Sequence, residues 1–150
     1  MTQRSRPMAA ASEAFDLGRA PGHLIRRAQQ RHQALWSQIV ADELTSVQFA
    51  ILTLLEAEPE IDQRTLSRRL SIDTSTLADV CRRLADRGLL SRVRAAGDRR
   101  RYVLRATPLG ARRMRELTPA VDQVGEALLE GLSAEERETL LALLGRTLRD

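Results

Sequence analysis

The stretch from Ile61 to Thr107 leaves this chain few folds to choose from. It reads IDQRTLSRRLSIDTSTLADVCRRLADRGLLSRVRAAGDRRRYVLRAT: a helix, a three-residue turn, a second helix and an arginine-loaded hairpin. Leu66 and Leu70 recur at helical spacing, Ser71-Ile72-Asp73 interrupts them, and Leu77, Val80, Cys81 and Leu84 resume the period up to Gly88. The period then becomes that of a strand, and the chain folds back around Ala95-Ala96-Gly97-Asp98. Two crossed helices followed by a basic two-stranded wing put one helix into a DNA groove and arginines beside it. The expected partner is duplex DNA.

Charge is concentrated in the same place. The chain carries 24 Arg and no Lys against 20 acids, a net +4. Residues 64–105 hold 12 of those arginines and four acids, a net +8, so the rest of the chain is acidic. A basic segment of this kind releases phosphate counterions on binding, which makes affinity fall steeply with salt. A merely solvated charged face has no reason to coincide with a helix-turn-helix pattern. The lack of Lys, with Asn absent too, fits a GC-rich coding sequence better than selection for arginine chemistry.

The remaining composition narrows the class. A single Cys rules out an internal disulfide framework and fits a reducing compartment. No apolar run approaches the roughly 20 residues needed to span a bilayer, and the N-terminus lacks the apolar core of a secretory signal. A soluble cytoplasmic protein without a membrane partner is expected.

Residues 1–16, rich in Ala, Ser, Arg and Gln, are expected to form a flexible tail. Residues 17–150 are expected to form a single domain, mainly α with a small β-wing. Pro21-Gly22 opens a helix to about Asp42, with Leu24, Ile25, Ala28, Leu35, Trp36, Ile39 and Val40 on its apolar side. Thr45 and Gln48 have capping-box spacing and open a second helix that stops before Pro59. Thr107-Pro108 starts a long helix to about Glu130, and Ser133 with Glu136 opens the last one. Residues 45–107 thus make a winged helix-turn-helix DNA-binding lobe. The flanks, 17–44 and 108–150, carry more apolar surface than that lobe can cover, including Leu132, Leu140, Leu141, Leu143, Leu144 and Leu148. Because such units bind paired half-sites as symmetric dimers, the flanking helices are expected to dimerise the chain.

The order of elements and three motifs resemble the MarR family of winged-helix transcription regulators over about residues 20–149. The motifs are LTSVQFAILTLL, DQRTLSRRLSIDTSTLADVCRRLADRGLLSR and AGDRRRYVLRATPLG. Asp98 and Arg100 match the family's Asp-x-Arg wing pattern, while Ala106 stands where Leu is usual before Thr107. The resemblance implies a homodimeric, triangular, mostly helical repressor with two winged lobes on a pseudo-palindromic operator.

The second helix of the motif is the expected recognition helix. Its apolar side is taken by Leu77, Val80, Cys81 and Leu84, so Thr74, Ser75, Thr76, Asp79, Arg82 and Arg83 project elsewhere. Short hydroxyl side chains at its start suit base edges or phosphate. Arg83 suits a guanine O6/N7 fork or a phosphate. Asp79 has three readings: an acceptor from cytosine N4, a guide for a neighbouring arginine, or an intrahelical pair with Arg82 or Arg83. At the wing, Arg100 is expected to reach the minor groove with Asp98 orienting it, and Arg94, Arg99 and Arg101 are phosphate candidates.

No catalytic or metal constellation stands out, so the chain is not read as an enzyme. The two histidines, His23 and His32, have no HxxxH or HExxH spacing, and neither a glycine-rich phosphate loop nor GxSxG occurs. Cys81 shares the apolar side of its helix with Leu77 and Leu84, the setting of a structural thiol. A redox sensor needs an exposed, low-pKa thiolate.

The input signal is sought in PGHLIRRAQQRHQALW. This segment resembles the branch of the family that represses aromatic-acid catabolism. The resemblance puts the ligand carboxylate on Arg26, with His32 as a second polar contact. A planar guanidinium grips a carboxylate bidentately, and Trp36 offers an aromatic wall. Six residues apart, Arg26 and His32 point about 120° away from each other on a straight helix. One pocket uses both only if it wraps the helix or if the second subunit supplies one of them. Otherwise Arg26 makes a salt bridge between dimer helices and His32 is a surface group. The expected function is a transcriptional repressor of aromatic-compound catabolism, released by an aromatic carboxylate or its coenzyme A thioester, with no cofactor. The alternatives are a constitutive DNA-binding regulator and a Cys81-based redox-sensing repressor.

Overall fold

The computed structural model describes residues 16–41 and 43–148, with only the backbone at 98–101. The expected tail, but for Asp16, lies outside the described residues. A 3-10 turn at Leu17–Arg19 leads into α1 (Pro21–Ile39) and α2 (Ser46–Ala57). The helix-turn-helix follows as α3 (Gln63–Leu70) and α4 (Thr74–Asp86), and the wing as β1 (Leu90–Ala95) and β2 (Asp98–Ala106). Two helices close the chain, α5 (Pro108–Leu128) and α6 (Ala134–Thr147).

Local chemistry starts these helices where the sequence places them. Both capping boxes form, Thr45 with Gln48 and Ser133 with Glu136. Two expected ends move inward: α1 stops at Ile39 rather than Asp42, and α5 at Leu128 rather than Glu130. Left-handed residues follow each, Ala41 at φ 57° and Gly131 at φ 90°, a conformation that ends a helix. In the turn of the motif, Ser71 adopts φ 51° and closes α3. Asp73 then caps α4 by accepting from Thr76 N at 2.9 Å. Hydrogen bonds from the Ser75 hydroxyl and then from Thr76 hold the Asp73 carboxyl well below the usual carboxylate range. The start of α4 therefore stays anionic, which its positive dipole end favours.

The wing is an antiparallel pair running from Leu90↔Ala106 to Arg94↔Tyr102, with a register shift between Arg94 and Ala95. Gly97 turns it at φ 89°. Its base is tied to the lobe by Leu104, whose N–H donates to Ile61 O at 2.9 Å.

Two cores result. The larger joins Ile51, Leu52 and Leu55 of α2 to Leu66 of α3, Leu77, Cys81 and Leu84 of α4, and Leu90 and Leu104 of the wing. The smaller packs Trp36 and Val40 of α1 against Val124 of α5. Phe49 and Leu117 border both. By contrast, α6 buries none of its residues, and Leu141, Leu143, Leu144 and Leu148 are exposed. An isolated helix of this length is marginal in water, and the described residues of one protomer leave these α6 leucines uncovered.

Candidate nucleic-acid interface and effector region

Leu77, Cys81 and Leu84 anchor α4 in the core, which leaves Thr74, Ser75, Thr76, Asp79, Arg82 and Arg83 exposed. The two arginines differ. Arg82 lies between two acids of its own helix, 3.4 Å from Asp79 and 3.6 Å from Asp86. The intrahelical reading of Asp79 is thus the one formed in this state. Arg83 has no ion-pair partner among the described residues, and it flanks α4 on the side of Thr76 and Val80. An exposed ion pair holds weakly, so Arg82 remains available to phosphate at small cost.

At the wing, Arg94 is exposed. The side chains of Asp98, Arg99, Arg100 and Arg101 lie outside the described residues, and their backbone opens β2. Two residues not singled out from the sequence belong to this surface, Arg92 and Tyr102. The strand period already placed Arg92 on the face of Arg94. Pairing Tyr102 with Arg94 required the hairpin register.

On α1 the three expected effector residues separate. His32 and Trp36 meet, with ring centroids 5.7 Å apart. Trp36 is buried, donates its indole N–H to Leu44 O at 2.8 Å and stands edge-on to Phe49. His32 is half-buried, and its Nδ1 is sealed from solvent without a hydrogen-bond partner among the described residues. Arg26 is exposed, and its guanidinium donates to His23 Nδ1 at 2.9 Å. It precedes Trp36 by ten residues, about 15 Å along the helix, so the two do not meet on one small ring within a protomer. Arg31 ties α1 to α5 by donating to Ala127 O at 2.9 Å.

Beyond Trp36, a cleft of about 660 Å³ separates the end of α1 from the recognition helix. Gln33, Trp36 and Ser37 line one wall, and Thr76, Val80 and Arg83 the other. Arg26 and His32 are not part of that lining. The α1–α4 boundary is therefore open volume rather than packed core.

Cys81 is 6% exposed within the main core, and burial pushes its thiol up to about 11. At neutral pH it is protonated and shielded, the opposite of a redox-sensing thiolate. Hydrogen peroxide at levels that oxidise exposed thiols is expected to leave duplex binding unchanged, in wild type and in Cys81→Ser alike. Loss of binding in wild type alone would make Cys81 a sensor. Among the described residues no group of three His, Cys, Asp or Glu is placed to hold a metal ion, and no helix is long and apolar enough to cross a membrane.

A helix-turn-helix with a two-stranded wing between long flanking helices matches the MarR family model over residues 44–102. The HTH-type transcriptional repressor NicR of Pseudomonas putida is 32% identical over 147 residues, 96% of this chain and 93% of NicR. The chain belongs to the MarR family. Solved members share its whole fold. PcaV of Streptomyces coelicolor, in complex with its natural ligand, superposes with a TM-score of 0.84 at 43% identity over 91% of this chain and 96% of PcaV. BpsR of Bordetella bronchiseptica, whose DNA binding is regulated by 6-hydroxynicotinic acid, gives 0.85 at 30% identity over 91% and 99%. Like them, this MarR protein is a transcriptional regulator and not an enzyme, with the expected mainly helical fold and β-wing.

Proposed function

We propose that this MarR protein is a homodimeric cytoplasmic repressor of aromatic-compound catabolism genes. It binds a pseudo-palindromic duplex through α4 and the wing, and an aromatic carboxylate or its coenzyme A thioester releases it. Thr74, Ser75, Thr76 and Arg83 serve the major groove, with Asp79 and Arg82 beside them. Arg100, oriented by Asp98, enters the minor groove, while Arg94, Arg99 and Arg101 hold phosphates. The flanking helices, above all the uncovered α6, form the dimer interface.

One observation carries the effector reading: His32, whose ring meets Trp36, has a buried Nδ1 without a hydrogen-bond partner among the described residues. Buried polar groups are nearly always hydrogen-bonded, so such a nitrogen on α1 marks a place for an incoming polar group. NicR, PcaV and BpsR support the same reading by similarity. Arg26 takes the carboxylate. Its separation from Trp36 means that the ligand wraps α1 or lies between the α1 helices of the two subunits. The open cleft between α1 and α4 gives the lobe room to reorient when the ligand displaces α1. Release requires tighter binding to the DNA-incompetent arrangement; equal binding to both states shifts nothing.

Arg26→Ala is the test. It is expected to abolish release of DNA by hydroxybenzoates, hydroxycinnamates or 6-hydroxynicotinic acid, and with it their thermal stabilisation of the protein. Affinity for the duplex should stay within about twofold, since Arg26 stands outside the lobe. A variant that still lets go of DNA at wild-type ligand concentrations removes Arg26 from the site.

A further inference from the structure

Arg94 meets two wing residues to which the proposed function gives no role, Arg92 and Tyr102. Arg92 places its guanidinium 4.4 Å from the centroid of the Tyr102 ring, and Arg94 places its own at 5.5 Å. Both distances lie inside the range in which a ring quadrupole attracts a cation. The register explains the convergence. Tyr102 stands directly opposite Arg94, and Arg92 opposite Leu104, so Arg92 is the diagonal neighbour of Tyr102 on the same face. That face continues inward to Leu90 and Leu104, which share the main core with Leu77 of α4, the helix that β1 contacts. The arginines are thus on the hairpin face turned toward the helix-turn-helix. All three side chains are exposed, Tyr102 by 41%, and Arg92 has no ion-pair partner among the described residues.

Two guanidiniums on one ring concentrate positive charge at that edge of the wing, where a phosphate would meet both. A ring fixed by the strand also removes rotamer freedom that each arginine would otherwise lose on binding. We propose that Tyr102 is a positioning residue that gathers Arg92 and Arg94 into a preformed phosphodiester-binding edge of the wing. The ligand is the sugar-phosphate backbone beside the recognition helix, contacted without regard to sequence. This inference rests on the reading of the chain as a duplex binder.

The test compares Tyr102→Val, which keeps strand propensity, with Tyr102→Phe, which keeps the ring, by anisotropy titration on operator and unrelated duplexes at several salt concentrations. Tyr102→Val is expected to weaken both duplexes by about the same factor, on the order of tenfold for two cation–π contacts per subunit. Tyr102→Phe should bind as wild type. Arg92→Gln should lower the slope of log affinity against log salt by about one per phosphate lost, and should cost less in the Tyr102→Val background than alone, because the two act as a unit. A purely structural tyrosine would give additive losses. Wild-type binding by Tyr102→Val, equal loss in Tyr102→Phe, or additive losses would each overturn the proposal. A wild-type protein that binds no duplex at all would instead contradict the reading beneath it.

Discussion

Gly110→Ala is expected to destabilise the protein by about 3 kcal/mol, the upper end for overpacking, and to lower its Tm by about 10 °C. Gly110 sits in the first turn of α5, where the helix presses on Leu89, the residue just before β1. A Cβ there would overlap the carbonyl oxygen of Leu89, lie 2.9 Å from its carbon and 3.2 Å from Leu52 Cδ2. The obstacle is backbone, and it is held in place: Leu89 O accepts from Thr107 N at 3.1 Å, and Thr107 Oγ1 donates to Gly88 O at 2.6 Å. Relief requires α5 to lift from the lobe. Gly125 of the same helix is the control, because a Cβ there meets nothing within 4 Å; Gly125→Ala should stabilise by up to about 1 kcal/mol. Urea denaturation at one fixed protein concentration measures both, and equal stability of the two variants would contradict the packing described.

Arg83→Ala is expected to have the largest effect on DNA affinity of any change on α4. A forked arginine contact is worth about 1–3 kcal/mol, and a dimer on two half-sites loses it twice, so operator affinity should fall on the order of a hundredfold. Arg83 is singled out because its neighbour is already engaged: Arg82 is shared by Asp79 and Asp86. Arg82→Ala leaves those two acids near the phosphates and should weaken all duplexes alike. A loss in Arg83→Ala confined to operator marks a base contact. An equal loss on unrelated duplex, with a shallower salt dependence, marks a phosphate contact. Wild-type affinity in Arg83→Ala would remove α4's flank from the interface.

What could be read from the sequence follows from the range of each interaction. The helix-turn-helix and the starts of the helices around it were legible because turn, caps and apolar period are local: Asp73, Thr45 and Ser133 cap α4, α2 and α6 within three residues of themselves. The end of α1 was not, since Ala41 takes a left-handed conformation with no Gly or Asn to announce it. Trp36 shows a second limit. Helical period puts it on the apolar side of α1, but whether that side meets a ligand or Phe49 and Leu44 depends on how α2 packs. The Arg92–Tyr102–Arg94 cluster depends on a hairpin register broken at Ala95, which the turn residues alone leave ambiguous. The cleft between α1 and α4 joins walls some forty residues apart in the chain, and no local pattern encodes it.

The central claim is that one molecule couples a DNA-binding output to an aromatic-acid input. It is tested most directly by titrating hydroxybenzoates, hydroxycinnamates and their coenzyme A thioesters into a preformed complex of wild-type protein with duplex from the region beside its own gene, read by fluorescence anisotropy. The account predicts saturable release by at least one of these compounds, with thermal stabilisation of the free protein by the same one. A complex that forms normally yet is neither released nor stabilised by any of them would contradict it and leave a constitutive DNA-binding regulator.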